Sequence, residues 1–106
     1  MFYELRQYSI FPGKMDAWLK VMEEEIIPFQ VACGMVITGS YRGEDDDSIY
    51  VWTRRFESES ERERLYAKVY ESDKWTKDIG PRLTELIDRD TIKVTRLVPT
   101  RLSTAQ

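Results

Sequence analysis

The 106-residue sequence contains no histidine. That removes the commonest general base, the Ser-His and Cys-His nucleophile pairs, and most zinc and haem ligation. Its single cysteine, Cys33, excludes an internal disulfide and any cysteine-rich zinc site. Positive charge is also scarce. Sixteen Lys and Arg stand against nineteen Asp and Glu, for a net charge of −3, without the basic stripe that nucleic-acid binders carry. No apolar run approaches the roughly 18 residues of a membrane span, and the start lacks the basic region and apolar core of a signal peptide. No glycine-rich phosphate loop is present, which argues against a nucleotide cofactor. The expectation is a cytoplasmic protein with no metal, no cofactor, and neither nucleic acid nor membrane as partner. Its chemistry must come from carboxylates, tyrosines, arginines or the bound molecule itself.

What is present is a folded-protein composition, 42% hydrophobic and 33% charged, with six Tyr, four Phe and three Trp. The length suits one domain. Residues 2 to 10 alternate as a strand, with Phe2, Glu4, Arg6, Tyr8 and Ile10 on one face. A Pro12-Gly13 break follows, and the period then turns helical. Met15, Trp18, Leu19, Met22, Ile26, Phe29 and Cys33 form one apolar stripe. Pro28 should kink or end regular hydrogen bonding late in this helix, and Gly34 should cap it. Residues 35–42 and 48–56 read as strands joined by the acidic loop Gly43-Glu44-Asp45-Asp46-Asp47. Ser58 and Glu61 make a capping box for a second helix that buries Leu65, Tyr66, Val69 and Tyr70. Short helical turns from Trp75 lead to a final strand at 91–98.

The order β-α-β-β-α-β predicts an α+β, ferredoxin-like domain: a four-stranded antiparallel sheet with helices on one face. The domain spans residues 1–99, with a polar tail at 100–106. Both sheet faces carry large side chains. Leu5, Ile49, Val51, Ile92 and Val94 are expected on one, and Phe2, Tyr8, Tyr50, Trp52 and Phe56 on the other. An uncovered apolar face marks an interface, so a homodimer is expected, two sheets packing face to face as a dimeric α/β barrel.

The opening Phe2-Tyr3-Glu4-Leu5-Arg6-Gln7-Tyr8, the Pro12-Gly13-Lys14 break, and Ile27-Pro28 together resemble NIPSNAP-type proteins. So do Tyr50-Val51-Trp52 with Arg54 and Phe56, the Ser58–Arg62 helix start, and Ser72-Asp73-Lys74-Trp75. The resemblance runs in order along nearly the whole chain. It implies a dimeric α/β-barrel fold, shared with small cofactor-free monooxygenases and haem-binding relatives, and it implies no particular activity.

The strongest polar constellation lies on the first and third strands, expected neighbours in this topology. Glu4, Arg6 and Tyr8 should share a face with Tyr50, Trp52 and Arg54. Two readings stand side by side. Arg6, Tyr8, Tyr50, Trp52 and Arg54 line a pocket in which arginines take an anion and rings hold an apolar body. Alternatively, Glu4 pairs with Arg6 or Arg54 and only fixes the sheet or dimer register. Candidate catalytic groups are Glu4, Tyr8 and Glu25, the last flanking the apolar helical stripe, where burial would raise its pKa. Asp45, Asp46 and Asp47 lack the spacing of a calcium loop and read as a solvated loop. Cys33 reads as a small buried residue. Trp18 and Trp75 read as packing anchors that could also wall a pocket.

Three functional classes follow. One is a homodimeric module binding a small aromatic or anionic molecule. Another is a cofactor-independent enzyme of monooxygenase or isomerase type. The last is a protein-interaction adaptor without a small ligand.

Overall fold

The computed structural model describes residues Met1–Gln106. Four strands, β1 (Phe2–Ile10), β2 (Val36–Arg42), β3 (Ile49–Phe56) and β4 (Ile87–Leu97), form one antiparallel sheet in the order β2-β3-β1-β4. The first and third strands are central neighbours, as the topology predicts. Helices α1 (Met15–Val21), α2 (Ile27–Cys33), α3 (Glu59–Tyr70) and the short α4 (Gly80–Arg82) cover one face. No helix is long and apolar enough to cross a membrane.

The two helical layers share one local device. Between α1 and α2 the chain makes a π-helical turn over Met22–Ile26, with Ile27 N–H bonding the carbonyl of Met22. A second π turn spans Lys74–Ile79, where Gly80 N–H bonds the carbonyl of Trp75. Each turn is followed by a proline, Pro28 or Pro81. A proline has no N–H for the carbonyl four residues back and its ring crowds that oxygen. Widening the preceding turn accommodates both effects, so the helix runs on through Pro28 to Cys33. The expected disruption near Pro28 therefore falls one turn earlier, and helical structure does not end there. Gly34 closes α2 in the left-handed region, at φ +110°. Ser58 caps α3 through its side chain, accepting from the Glu61 N–H at 3.1 Å.

The helix-covered face carries the core in two apolar groups. Tyr8, Trp18, Met22, Ile26, Tyr50, Trp52, Ile79 and Leu83 belong to the larger group. Phe2, Cys33, Met35, Phe56, Leu65 and Val69 form the smaller. Along β1 and β3 the residues between these groups are Glu4, Arg6 and Arg54, of which Glu4 and Arg54 are directly opposite one another and both buried.

One face assignment is corrected. Val94 lies opposite Arg6, and Ile92 packs against the larger apolar group. Both therefore belong to the helix-covered face and not with Leu5 and Val51. Alternation within β4 gives its two residue sets; which set faces the helices depends on its pairing with β1. That pairing breaks between Gln7 and Ser9, where five steps along β4 match two along β1, and β4 begins at Ile87, four residues before the expected start.

The open face carries half-buried Tyr3, Leu5, Ile49, Val51 and Thr53, with Val36, Tyr41 and Leu97 exposed. The last residues fold back over one end of it, where the Tyr3 hydroxyl donates to the backbone oxygen of Gln106. A hollow of about 630 Å³ lies between this segment and the strands.

Candidate functional site

Because directly opposed residues of an antiparallel pair share a face, the register of β1 on β3 fixes the site. Glu4 faces Arg54, Arg6 faces Trp52, and Tyr8 faces Tyr50. The six side chains do share one face, beneath the helices. They divide into two arrangements.

Arg54 is wholly buried. Its Nη2 bonds Glu4 Oε1 at 2.5 Å and the Tyr66 hydroxyl at 2.8 Å. Its Nη1 donates to Gln30 Oε1 and to the Tyr70 hydroxyl, each at 2.8 Å. The guanidinium also lies 4.7 Å from the Trp52 ring centre, a cation–π distance. Tyr66 completes the group by donating to both oxygens of Glu4, at 2.6 and 2.7 Å. Burial pushes the Glu4 carboxyl up, but Arg54, Tyr66 and Arg6 outweigh that and hold it below its ordinary value. Glu4 is thus an anion locked to a cation directly across the β1–β3 ladder.

Two residues along, the arrangement changes. Arg6 Nε donates to the Tyr8 hydroxyl at 2.8 Å, and Trp52 Nε1 donates to the same oxygen at 3.0 Å. Arg6 Nη1 reaches the Tyr66 hydroxyl at 3.3 Å and lies 3.7 Å from Glu4. Burial raises the Tyr8 pKa more than Arg6 lowers it, so the phenol stays protonated at neutral pH. These residues border a cavity of about 210 Å³. Its wall includes Arg6, Tyr8 and Trp52 from the sheet, Trp18, Met22 and Ile26 from the first helical layer, and Tyr70, Trp75 and Leu83 from the second. The β4 irregularity brings Arg89 and Ile92 to the wall as well. All three tryptophans of the chain line it. The Trp18 indole N–H has no hydrogen-bond partner.

Of the residues expected to line a pocket, Arg6, Tyr8 and Trp52 do so. Tyr50 and Arg54 stand off the wall. Tyr50 is buried with its hydroxyl on Ser40 at 2.5 Å, and burial pushes its pKa up to about 12. Glu25 is also away from the cavity. Its two oxygens meet Arg82 at 2.6 and 2.9 Å, and that hydrogen-bonded pair lowers its pKa where a buried base would have it raised. Cys33 is buried in the smaller apolar group.

Reading the sequence missed Gln30, Tyr66 and Tyr70. Gln30 follows Met22 and Ile26 at four-residue steps, so a polar residue on the buried stripe was the available signal. Tyr66 and Tyr70, also four apart, place two hydroxyls on the buried side of α3.

The chain matches the family model described as NIPSNAP over residues 3–103. Among solved structures, a NIPSNAP family protein of unknown function from Agrobacterium tumefaciens superposes with a TM-score of 0.89 at 27% identity, covering 100% of this chain and 94% of that one. A NIPSNAP family protein from the same organism gives 0.87 at 27% identity, covering 99% and 98%. An antibiotic biosynthesis monooxygenase shares the fold at a TM-score of 0.69 and 13% identity, covering 94% and 99%. That likeness concerns the fold alone. No match is found among curated proteins.

Proposed function

Starting from the fact that the chain belongs to the NIPSNAP family, we propose that it is a small-molecule binding protein whose cavity beneath the helices holds a single-ring aromatic compound. The observation that carries this is the 210 Å³ cavity walled by three tryptophans and two tyrosines. An apolar protein cavity of about 150 Å³ accepts benzene, so this one has room for a ring with a small substituent. Aromatic walls provide the contact area, and a few polar groups set the orientation.

A reaction of isomerase type would need a base on the wall. Glu4 and Glu25 are both ion-paired, both held below the usual carboxylate range, and neither borders the cavity. This supports binding over proton abstraction by a carboxylate.

The protein acts as a homodimer through its open sheet face. The support is the row of Leu5, Ile49 and Val51 on a face that no helix covers, flanked by exposed Val36, Tyr41 and Leu97.

Both parts are open to test. Single-ring aromatic compounds should raise the thermal midpoint of the wild type and perturb its tryptophan fluorescence. Leu83→Trp, which fills the cavity, should abolish both responses while the far-UV spectrum is kept. If no such compound affects the wild type, the binding reading fails. Light scattering on a sizing column should return twice the chain mass, and a monomer mass would sink the dimer.

A further inference from the structure

Which end group such a ring must carry follows from counting donors and acceptors around the cavity. A tyrosine hydroxyl offers one proton and accepts through its oxygen. Tyr66 uses both functions: it accepts from Arg54 and Arg6 and donates to Glu4. Tyr8 does not. Its oxygen accepts from Arg6 and from Trp52, and its proton meets no acceptor in the protein. Tyr70 repeats the pattern. Its oxygen accepts from Arg54 at 2.8 Å and from Gln30 at 3.3 Å, and its proton is likewise unspent. Both hydroxyl-bearing rings line the cavity, together with Arg6, whose Nη2 makes no hydrogen bond, and Trp18, whose buried N–H has no partner.

No Asp, Glu, Asn or Gln borders this space. Its polar wall therefore presents donors and lacks side-chain carboxylate or amide acceptors. The charges point the same way. Arg6 and Arg54 share the single nearby carboxylate of Glu4, which leaves one positive charge in excess at the polar end. Burial makes such an excess costly unless an anion arrives.

We propose that the cavity takes a small aromatic carboxylate, its ring among Trp18, Trp52 and Trp75 and its carboxylate on Arg6 and the unspent hydroxyl protons of Tyr8 and Tyr70. This rests on the binding reading above and specifies the class of compound. A planar carboxylate offers lone pairs to a guanidinium and to both hydroxyls at once. An amide of the same shape turns an N–H donor toward a wall made of donors.

The test compares benzoate with its neutral isostere benzamide by titration calorimetry on the wild type at pH 7. Benzoate should bind about tenfold tighter or more, the range expected for hydrogen bonds to a charged group. Arg6→Met should remove that preference and leave the two compounds equal. Tyr70→Phe should weaken benzoate more than benzamide. Equal binding of both compounds to the wild type would overturn the carboxylate assignment and leave the cavity reading standing. Failure of benzoate, benzamide and toluene alike would overturn both. Because the deciding comparison uses wild-type protein, it holds even if a variant folds poorly.

Discussion

Glu4–Arg54 and Arg6–Trp52 are successive cross-strand positions on the same face of the same two strands, yet they are finished differently. Both Nη groups of Arg54 are answered from within the chain, by Glu4, Gln30, Tyr66 and Tyr70, and only its buried Nε lacks a partner. Around Arg6 the groups are half answered, and the unused donors surround a cavity. The first arrangement ties the two strands together by internal bonds; the second leaves donors unused. A buried ionic cluster and a binding site can thus be neighbours on one ladder, told apart by whether their hydrogen bonds close internally.

The largest effect is expected in the Arg54 cluster. Arg54→Met strands Glu4 in the interior, and losing one partner of a buried pair costs about 3–5 kcal/mol. Urea unfolding should show that loss or an unfolded protein. Glu4→Gln keeps shape and part of the bonding, so about 2–3 kcal/mol is expected. Its pH dependence is the sharper signature. The Glu4 carboxyl is held below its ordinary 4.5, so its contribution is complete above that value and disappears as pH falls through the depressed pKa. The stability gap between wild type and Glu4→Gln should therefore shrink below pH 4.5 and be constant above it.

Arg6→Met probes the other arrangement. Arg6 keeps 18% side-chain exposure, and Glu4 retains Arg54, so the expected loss is about 1 kcal/mol. Preference for an aromatic carboxylate should vanish at the same time. A large stability loss without effect on binding would reverse the roles given to the two arginines. The smallest effect is expected at the surface. Arg82→Ala removes the Glu25 pair, and after solvent screening such exposed pairs contribute about 0–1 kcal/mol.

Much of this was legible in the sequence. Alternation in residues 2–10 and 48–56, together with a ferredoxin-like order, places Glu4, Arg6 and Tyr8 beside Tyr50, Trp52 and Arg54. What alternation cannot supply is parity between strands far apart in sequence. Ile92 and Val94 therefore lie on the face opposite to the one alternation suggests, since a break in the β1–β4 ladder sets their side. The choice between pocket and lock was equally beyond reach. It depends on Gln30, Tyr66 and Tyr70, which arrive from two helices and take up both Nη groups of Arg54, while Arg6 shares only Tyr66 among them. Trp18 and Trp75 illustrate a softer limit. A tryptophan on a buried stripe packs the core whether or not space remains beside it, and only the assembled layers show that space.

The cavity bordered by Arg6, Tyr8 and Tyr70 is the proposed binding site, and the Glu4–Arg54 pair beside it ties the two strands together. Nuclear magnetic resonance titration of the wild type with benzoate tests this most directly, because all three tryptophans of the chain line the cavity and each carries one indole N–H signal. The three indole signals should move together along one binding curve, with any shift at Arg54 smaller and on the same curve, since Tyr70 bonds Arg54 as well as bordering the cavity. Indole signals that stay in place while those of Arg54 shift would contradict the account.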